Sequence, residues 1–197
     1  FSNTLEKYTS KINKNNIVIQ PHDELIPVNN IFEPYTQNYI DAGIDGSIYY
    51  ELTRGCPYKC AYCNYSKNTT KIRETSFEQF LSILKNPGKS LKEIYILSPA
   101  FNSHSSFNDR LNQIKKYNTS HISLHTELRT DKIKKQQAKL LKEAGFNSLE
   151  VGLQTITKQS LSLINRNTNI EKEIEGMNYL HDEGIDLKIG IIPGLPG

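Results

Sequence analysis

From Ser47 onward, short runs of β-branched and aromatic residues alternate with longer segments in which apolar residues recur every three or four positions. The short runs predict five strands, at residues 48–52, 93–97, 122–125, 148–152 and 186–192. The segments between them predict helices at residues 77–84, 107–117, 132–144, 158–165 and 170–183. The pattern is therefore a repeated strand–loop–helix unit.

Several residues indicate where these helices begin and end. Thr75 and Glu78, three positions apart before an apolar run, predict a capping box for the helix at 77–84. Gly145 and Gly184 each follow a predicted helix and precede a predicted strand, where glycine favours the left-handed backbone that ends a helix. The segments around these two glycines resemble one another, which supports a repeated unit.

The order of the elements predicts an α/β fold with parallel strands. Parallel neighbours need a crossover of about a dozen residues or more, and the predicted helices supply crossovers of that length. In such sheets, ligands bind where the loops gather at the carboxyl ends of the strands. The candidate site residues all lie at those ends.

Residues 1–45 and 46–197 differ in composition and predict different roles. The first segment is polar and rich in Asn and Pro, which indicates a linker or lead-in. The second contains the strand–helix units. The chain stops at Gly197 with no helix after the fifth strand, so one face of that strand should be uncovered. We expect the chain to be a piece of a longer protein, with its core domain truncated after the fifth strand.

The bulk composition restricts the class of protein. A chain of 197 residues with 37% hydrophobic content is long enough for one domain with a sizeable core. The net charge of +3 is far below the clustered positive charge that is typical of nucleic-acid-binding proteins. No apolar run approaches the roughly 20 residues of a membrane span, and no secretory pattern opens the chain. We expect a soluble, cytoplasmic protein without membrane or nucleic-acid partners.

The three cysteines of the chain, Cys56, Cys60 and Cys63, lie within eight residues directly after the first predicted strand. An odd, crowded set does not form a disulfide framework and favours a metal site. A 4Fe-4S cluster takes one thiolate per iron, so three cysteines leave one iron open for a chelating ligand. Structural zinc, which needs four closed ligands, and incidental buried cysteines are the alternatives.

The sequence Cys-x-x-x-Cys-x-Tyr-Cys at the end of a first strand resembles the signature of the radical S-adenosylmethionine (SAM) superfamily. The resemblance implies a partial (β/α)6 TIM-like barrel and an enzyme in which SAM chelates the open iron and is cleaved reductively to a 5′-deoxyadenosyl radical. It also implies a reductant such as flavodoxin or ferredoxin. The longer motif from Arg54 to Cys63 resembles members that carry a cobalamin-binding domain, which these residues do not contain.

The resemblance also implies positions for SAM. Tyr62 stands at the aromatic position beside adenine, with a core aromatic as the alternative. Ser98, after the second strand, stands near the turn that binds the methionine amino group, although Pro99 lacks an N–H and no acidic residue follows. Glu127 corresponds to the acidic residue that binds ribose, with a solvated charge as the alternative. Arg129 is open to the methionine carboxylate or to solvent.

The last two strands supply further implied contacts. Gln154 corresponds to a residue near ribose and methionine, and Arg166 to a partner of the SAM carboxylate, for which a guanidinium fork is suited. Gly190, Ile192 and Gly194 fit the Gly-x-Ile-x-Gly pattern beside adenine. Strand alternation predicts that Glu150 faces the barrel interior.

The substrate is not readable from the sequence, because fold alone does not fix the reaction. Methyl transfer, rearrangement and peptide modification all remain open. A different class of function is also open, in which the protein keeps the cluster as a non-catalytic electron-transfer or scaffold protein.

Overall fold

The computed structural model describes residues 34–35, 41–65 and 72–197. Its strands are β1 Ser47–Glu51, β2 Thr53–Arg54, β3 Arg73–Glu74, β4 Glu93–Leu97, β5 Ser123–Leu128, β6 Phe146–Gln154 and β7 Asp186–Ile191. Its α-helices are α1 Phe77–Lys85, α2 Phe107–Tyr117, α3 Lys135–Ala144, α4 Lys158–Leu163 and α5 Ile170–Asp182, with 3-10 turns at Phe101–Ser103 and Thr130–Lys132. The predicted lead-in, residues 1–45, falls almost entirely outside the described residues.

Five strands form one parallel sheet in the order β1-β4-β5-β6-β7. The predicted α/β fold with parallel strands is confirmed, and the sheet is consistent with a partial TIM-like barrel that is not closed. Helices connect each strand to the next, as right-handed parallel crossovers require. The carboxyl ends of the five strands therefore share one edge of the sheet.

One face of the sheet packs against the helices and forms the core. Ile48, Ile94 and Leu124 lie side by side in the strand register and are at most 3% exposed. The helices contribute apolar side chains from one stripe each, including Phe80, Leu111, Leu141 and Leu180, all fully buried. Burial of this apolar stripe is the main term that stabilises helices of ordinary length.

The opposite face of the sheet carries polar and aromatic side chains. Tyr49, Tyr95 and His125 are neighbours in the register. The rings of Tyr49 and Tyr95 stack at a centroid distance of 4.9 Å, and the His125 ring is tilted against Tyr95 at 5.0 Å. Glu150 faces the same side, as strand alternation predicts, and pairs in register with Glu127 and Lys188. This face is the interior of the open barrel.

The ends of three helices test the caps that the sequence predicted. The N-cap of α1 is Ser76, whose hydroxyl accepts a hydrogen bond from Gln79 N at 3.2 Å, so the capping box from Thr75 is wrong. Thr75 instead donates its hydroxyl hydrogen to the carbonyl oxygen of Glu51 at 2.7 Å. The left-handed glycines are confirmed, with φ of 102° at Gly145 and 69° at Gly184.

The fifth strand of the parallel sheet, β7, leaves apolar side chains in contact with solvent. Ile189 and Ile191 are 48% and 66% exposed, as an uncovered strand face predicts. Within the described residues, every helix is too short or too polar to cross a membrane.

Candidate functional site

The cysteine loop lies between two short strands that pair with each other. β2 precedes the loop, β3 follows it, and the two strands pair antiparallel. Directly after β3, Thr75 N donates to the carbonyl oxygen of Leu52 at 3.1 Å. Gly55 opens the loop with a φ of 95°, a conformation that favours glycine. All three cysteines are free thiols. The loop is therefore fixed at both ends to the carboxyl end of β1.

A segment far along the chain also holds this loop. Ala61 N donates to the carbonyl oxygen of Ile164 at 2.8 Å, and the Asn165 side-chain amide donates to the carbonyl oxygen of Lys59 at 2.9 Å. Asn165 has a φ of 54°, which Asn tolerates better than most residues. Because Arg166 follows directly, the same segment contacts the cysteine loop and carries a predicted SAM contact.

A cavity of about 180 Å³ lies beside the loop at the carboxyl ends of the strands. Its lining includes all three cysteines and five other residues that the sequence predicted for the site, namely Tyr62, Glu127, Gln154, Arg166 and Gly190. Residues from the loop after β1 and from strands β5, β6 and β7 therefore meet in one place. Glu150 and Arg129 also line it.

Three other predicted SAM contacts are not in this lining. Ser98 is 2% exposed, and the next residue, Pro99, lines the cavity instead. Ile192 and Gly194 lie beyond the end of β7, where Ile192 N donates to the carbonyl oxygen of Gln154 at 3.0 Å. Their assignments to SAM stay predictions.

Gln154 enters the cavity from an irregular position in its strand. The β6–β7 register shifts between Gly152 and Gln154, and Gln154 has a φ of 64°. A non-glycine residue in left-handed backbone costs about 1–2 kcal/mol, and such strain concentrates at functional sites. An added Cβ at Gly152 would lie 2.3 Å from Gln154 Nε2, so a larger residue there would require the Gln154 amide to move.

The two arginines at the cavity are buried and paired. Arg129, 5% exposed, binds both carboxylate oxygens of Asp131 at 3.0 Å and lies 4.2 Å from the centre of the Tyr58 ring in the cysteine loop. Of the two roles left open for Arg129, solvation is therefore wrong. Arg166, 7% exposed, donates from Nη2 to the Gly152 carbonyl oxygen and to Glu173 Oε1, the latter at 3.2 Å.

Sequence reasoning missed Glu173, which is 1% exposed on α5. A signal was present, since positions 173, 176, 177 and 180 form the buried stripe of that helix and only one of them is charged. A charged residue on a buried stripe is rarely left without partners.

Burial and neighbouring charges shift several pKa values at the cavity. Burial raises the pKa of the Cys56 thiol, and the nearby Cys63 and Cys60 raise it further, although the Tyr58 backbone N–H opposes this. Burial also raises the pKa of the Glu127 carboxyl, with the charge of Glu150 acting in the same direction. The folded apoprotein therefore disfavours the charged forms of Cys56 and Glu127 relative to their ordinary state in water.

The donor set fits an iron–sulfur cluster. The described residues contain no group of three His, Cys, Asp or Glu side chains that could hold a single metal ion. A 4Fe-4S cluster does not require one, because each thiolate binds its own iron. The three thiols border the same cavity as the buried Arg166, whose Nε has no hydrogen-bond partner among the described residues.

The chain is similar to several known proteins and solved structures. The chain is 21% identical over 176 residues to the hopanoid C-3 methylase of Methylococcus capsulatus, covering 86% of this chain and 33% of that protein. It also resembles the radical S-adenosylmethionine methyltransferase TsrM from Kitasatospora setae, with a TM-score of 0.67, 17% identity, and coverage of 78% of this chain and 31% of TsrM.

A second solved structure has the same fold over more of the chain. The cobalamin-dependent S-adenosylmethionine radical enzyme OxsB matches with a TM-score of 0.67 and 21% identity, covering 86% of this chain and 27% of OxsB. The chain thus spans about a third or less of these relatives. The sequence profile of the Radical SAM superfamily matches residues 50–197, three quarters of the chain. The chain therefore belongs to the radical SAM superfamily.

Proposed function

We propose that this chain is the catalytic core of a radical SAM enzyme, in which Cys56, Cys60 and Cys63 bind a 4Fe-4S cluster and the adjacent cavity binds SAM. The observation that supports the proposal most strongly is the composition of that cavity. Three free cysteines and residues from three separate strands line the same space of about 180 Å³. Family membership supports the same activity.

When bound, a reduced cluster supplies one electron to the sulfonium of SAM, whose sulfur–C5′ bond breaks to give methionine and a 5′-deoxyadenosyl radical that takes a hydrogen atom from substrate. The protein orients SAM for this step. Arg166 donates to the methionyl carboxylate from the guanidinium nitrogens other than Nη2. Ser98 contributes to the amino-group side.

The nucleoside part of SAM meets different residues. Glu127 accepts hydrogen bonds from the ribose hydroxyls, as a carboxylate does in other nucleotide sites. Gln154 contacts ribose from the neighbouring strand, β6. Tyr62 packs against adenine, and Gly190, Ile192 and Gly194 offer backbone close to the ring.

The full reaction involves a cobalamin-binding domain and methyl transfer or rearrangement on a substrate that is still unknown. The similarity to TsrM, described as a methyltransferase, and to OxsB, described as cobalamin-dependent, supports this extension. A flavodoxin or ferredoxin supplies the electron. A cytoplasmic location agrees with three free thiols, which persist in a reducing compartment.

One incubation tests the proposal. The protein is reconstituted anaerobically with iron and sulfide and then incubated with dithionite and SAM, and 5′-deoxyadenosine is quantified. We expect a brown protein that forms this product. An intact cluster without 5′-deoxyadenosine would instead support the non-catalytic electron-transfer or scaffold function.

A substitution in the loop sharpens this test. Cys60→Ala should abolish both the brown absorbance and SAM cleavage, because a cluster with two protein ligands is poorly retained. Lys59→Ala is the matched control, since the Lys59 side chain is exposed in the same loop. A Cys60→Ala protein with full absorbance, or a colourless wild type holding one zinc ion, would contradict the proposal.

A further inference from the structure

Glu173 lies at the centre of a buried polar network behind the cavity. One carboxylate oxygen, Oε2, accepts hydrogen bonds from the Thr130 hydroxyl and from Asp131 N, the latter at 3.2 Å. The other, Oε1, accepts from the Thr168 hydroxyl at 2.7 Å and from Arg166 Nη2 at 3.2 Å. A single side chain on α5 thus joins the loop after β5 to the segment that carries Arg166.

The helix approaches this loop more closely than side chains normally allow. Gly176 lies one turn beyond Glu173, and an added Cβ there would stand 2.1 Å from the Thr130 carbonyl oxygen. Glycine therefore permits the close approach. At this approach the Glu173 carboxylate reaches both the Thr130 hydroxyl and Asp131 N.

Charges in the network balance. Arg129 and Arg166 are opposed by Asp131 and Glu173, and all four side chains are at most 6% exposed. Buried charges are tolerated when they are paired and hydrogen-bonded, and removing one partner leaves an uncompensated charge. Within the described residues, Glu173 contacts Arg166, whereas Asp131 pairs with Arg129.

We propose, on the basis of the function proposed above, that Glu173 is a positioning residue that fixes Arg166 for the carboxylate of SAM. Arg166 Nη2 is fully used by Glu173 and the Gly152 carbonyl oxygen, so the guanidinium is held in one orientation at the cavity. An arginine side chain loses rotamer entropy when it is immobilised. Glu173 imposes that loss before SAM arrives, which strengthens binding by preorganisation.

A different role for Glu173 predicts the opposite result. If Glu173 only neutralised Arg166, its removal would leave a surplus positive charge, and the SAM carboxylate would bind more tightly. If it held Arg166 in place, its removal would free the guanidinium and weaken SAM binding. The sign of the change in affinity therefore separates the two roles.

The experiment compares two ligands in the cluster-reconstituted protein. SAM carries the methionyl carboxylate, whereas 5′-methylthioadenosine has the same nucleoside without the amino acid part. Glu173→Gln should weaken SAM binding by about 10–100-fold, the usual effect of losing a supporting partner. It should leave 5′-methylthioadenosine binding and the cluster absorbance unchanged.

Two further variants complete the design. Thr168→Val removes one hydrogen bond to Oε1 without changing charge, and it should weaken SAM binding a few-fold even where Glu173→Gln fails to fold. Glu175→Gln, on the exposed side of the same helix, should change neither ligand's affinity.

The outcomes also separate this proposal from the one it rests on. Equal weakening of both ligands, or unchanged or tighter SAM binding in the folded variants, would overturn the role of Glu173 while wild-type SAM cleavage stands. A wild-type protein that binds a cluster but neither binds nor cleaves SAM would overturn both.

Discussion

Gly176 of α5 faces the backbone of Thr130 so closely that an added Cβ would lie 2.1 Å from the carbonyl oxygen and 2.8 Å from the carbonyl carbon. Gly176→Ala therefore sets two effects against each other. Alanine favours a helix interior by about 1 kcal/mol over glycine. The clash is with backbone, which cannot rotate away, and overpacking of this kind costs about 1–3 kcal/mol.

We expect the clash to win, so that Gly176→Ala lowers the free energy of unfolding in urea by about 1–2 kcal/mol. Gly88→Ala is the control, because its added Cβ meets only Asp41 Oδ1, at 3.6 Å. A Gly176→Ala protein as stable as the wild type would show that α5 can shift away from Thr130 without loss.

At Gln154 we expect a glycine variant to be more stable than an alanine variant, the reverse of the usual order. Both Gln154→Ala and Gln154→Gly remove the side-chain amide, and both should weaken SAM binding without changing the cluster spectrum. Glycine adopts a φ of 64° without strain, whereas alanine does not. The Gly variant should therefore be more stable than the Ala variant by about 1 kcal/mol in urea unfolding.

Thr155 provides the matched comparison, since its φ is not positive. There the Ala variant should be the more stable of the pair, by about 0.5–1 kcal/mol. If the Ala variant is also the more stable one at position 154, the left-handed backbone at Gln154 is not a source of strain.

Glu127 makes the stability of the apoprotein depend on pH. Burial and the charge of Glu150 raise the pKa of Glu127 in the folded state. The contribution of protonated Glu127 to the stability of the fold is therefore complete below the ordinary pKa of 4.5 and is lost as pH rises through the raised pKa. Glu127→Gln should therefore melt at a higher temperature than the wild type at pH 8. The difference should disappear below pH 4.5.

Glu150→Gln tests the second cause of this shift. Removing the Glu150 charge should reduce the benefit of Glu127→Gln at pH 8, which a double-mutant cycle of melting temperatures measures. A benefit of Glu127→Gln that is equal at pH 4 and pH 8 would contradict ionisation as its origin.

The regular elements could be predicted because their signals are local. Strand β4 and helix α2 begin and end at the predicted residues, 93–97 and 107–117. An apolar run or a 3.6-residue stripe within one element decides these cases. The start of α1 shows the limit, since Thr75 and Ser76 are both suitable caps and a distant carbonyl, that of Glu51, takes the Thr75 hydroxyl.

Local sequence patterns could not predict which distant segments pair with each other. The β2–β3 pair joins only two residues on each side, too few to leave an alternating pattern. The same holds for the site. A compact motif predicted the cysteines, whereas the contact of Glu173 with Thr130 depends on how α5 packs against the loop after β5. Helical periodicity could have placed Glu173 on a buried face but could not have identified its partners.

The bond from Asn165 to the cysteine loop leads to a prediction about cluster retention. The Asn165 amide donates to the carbonyl oxygen of Lys59 at 2.9 Å, three residues after Cys56. Asn165→Asp replaces that donor with a carboxylate that repels the carbonyl. Losing a hydrogen bond of about 1 kcal/mol corresponds to a factor of about five, so the cluster absorbance should decay about fivefold faster under a chelator.

Asn165→Gly and Asn167→Asp separate the causes of that decay. Asn165→Gly keeps the left-handed backbone and loses only the bond, so its decay should be faster than that of the wild type but slower than that of Asn165→Asp. Asn167→Asp introduces the same charge at an exposed side chain two residues away and should decay like the wild type. Equal decay in Asn165→Asp and Asn167→Asp would mean that the added charge, and not the bond to Lys59, determines how long the loop retains its cluster.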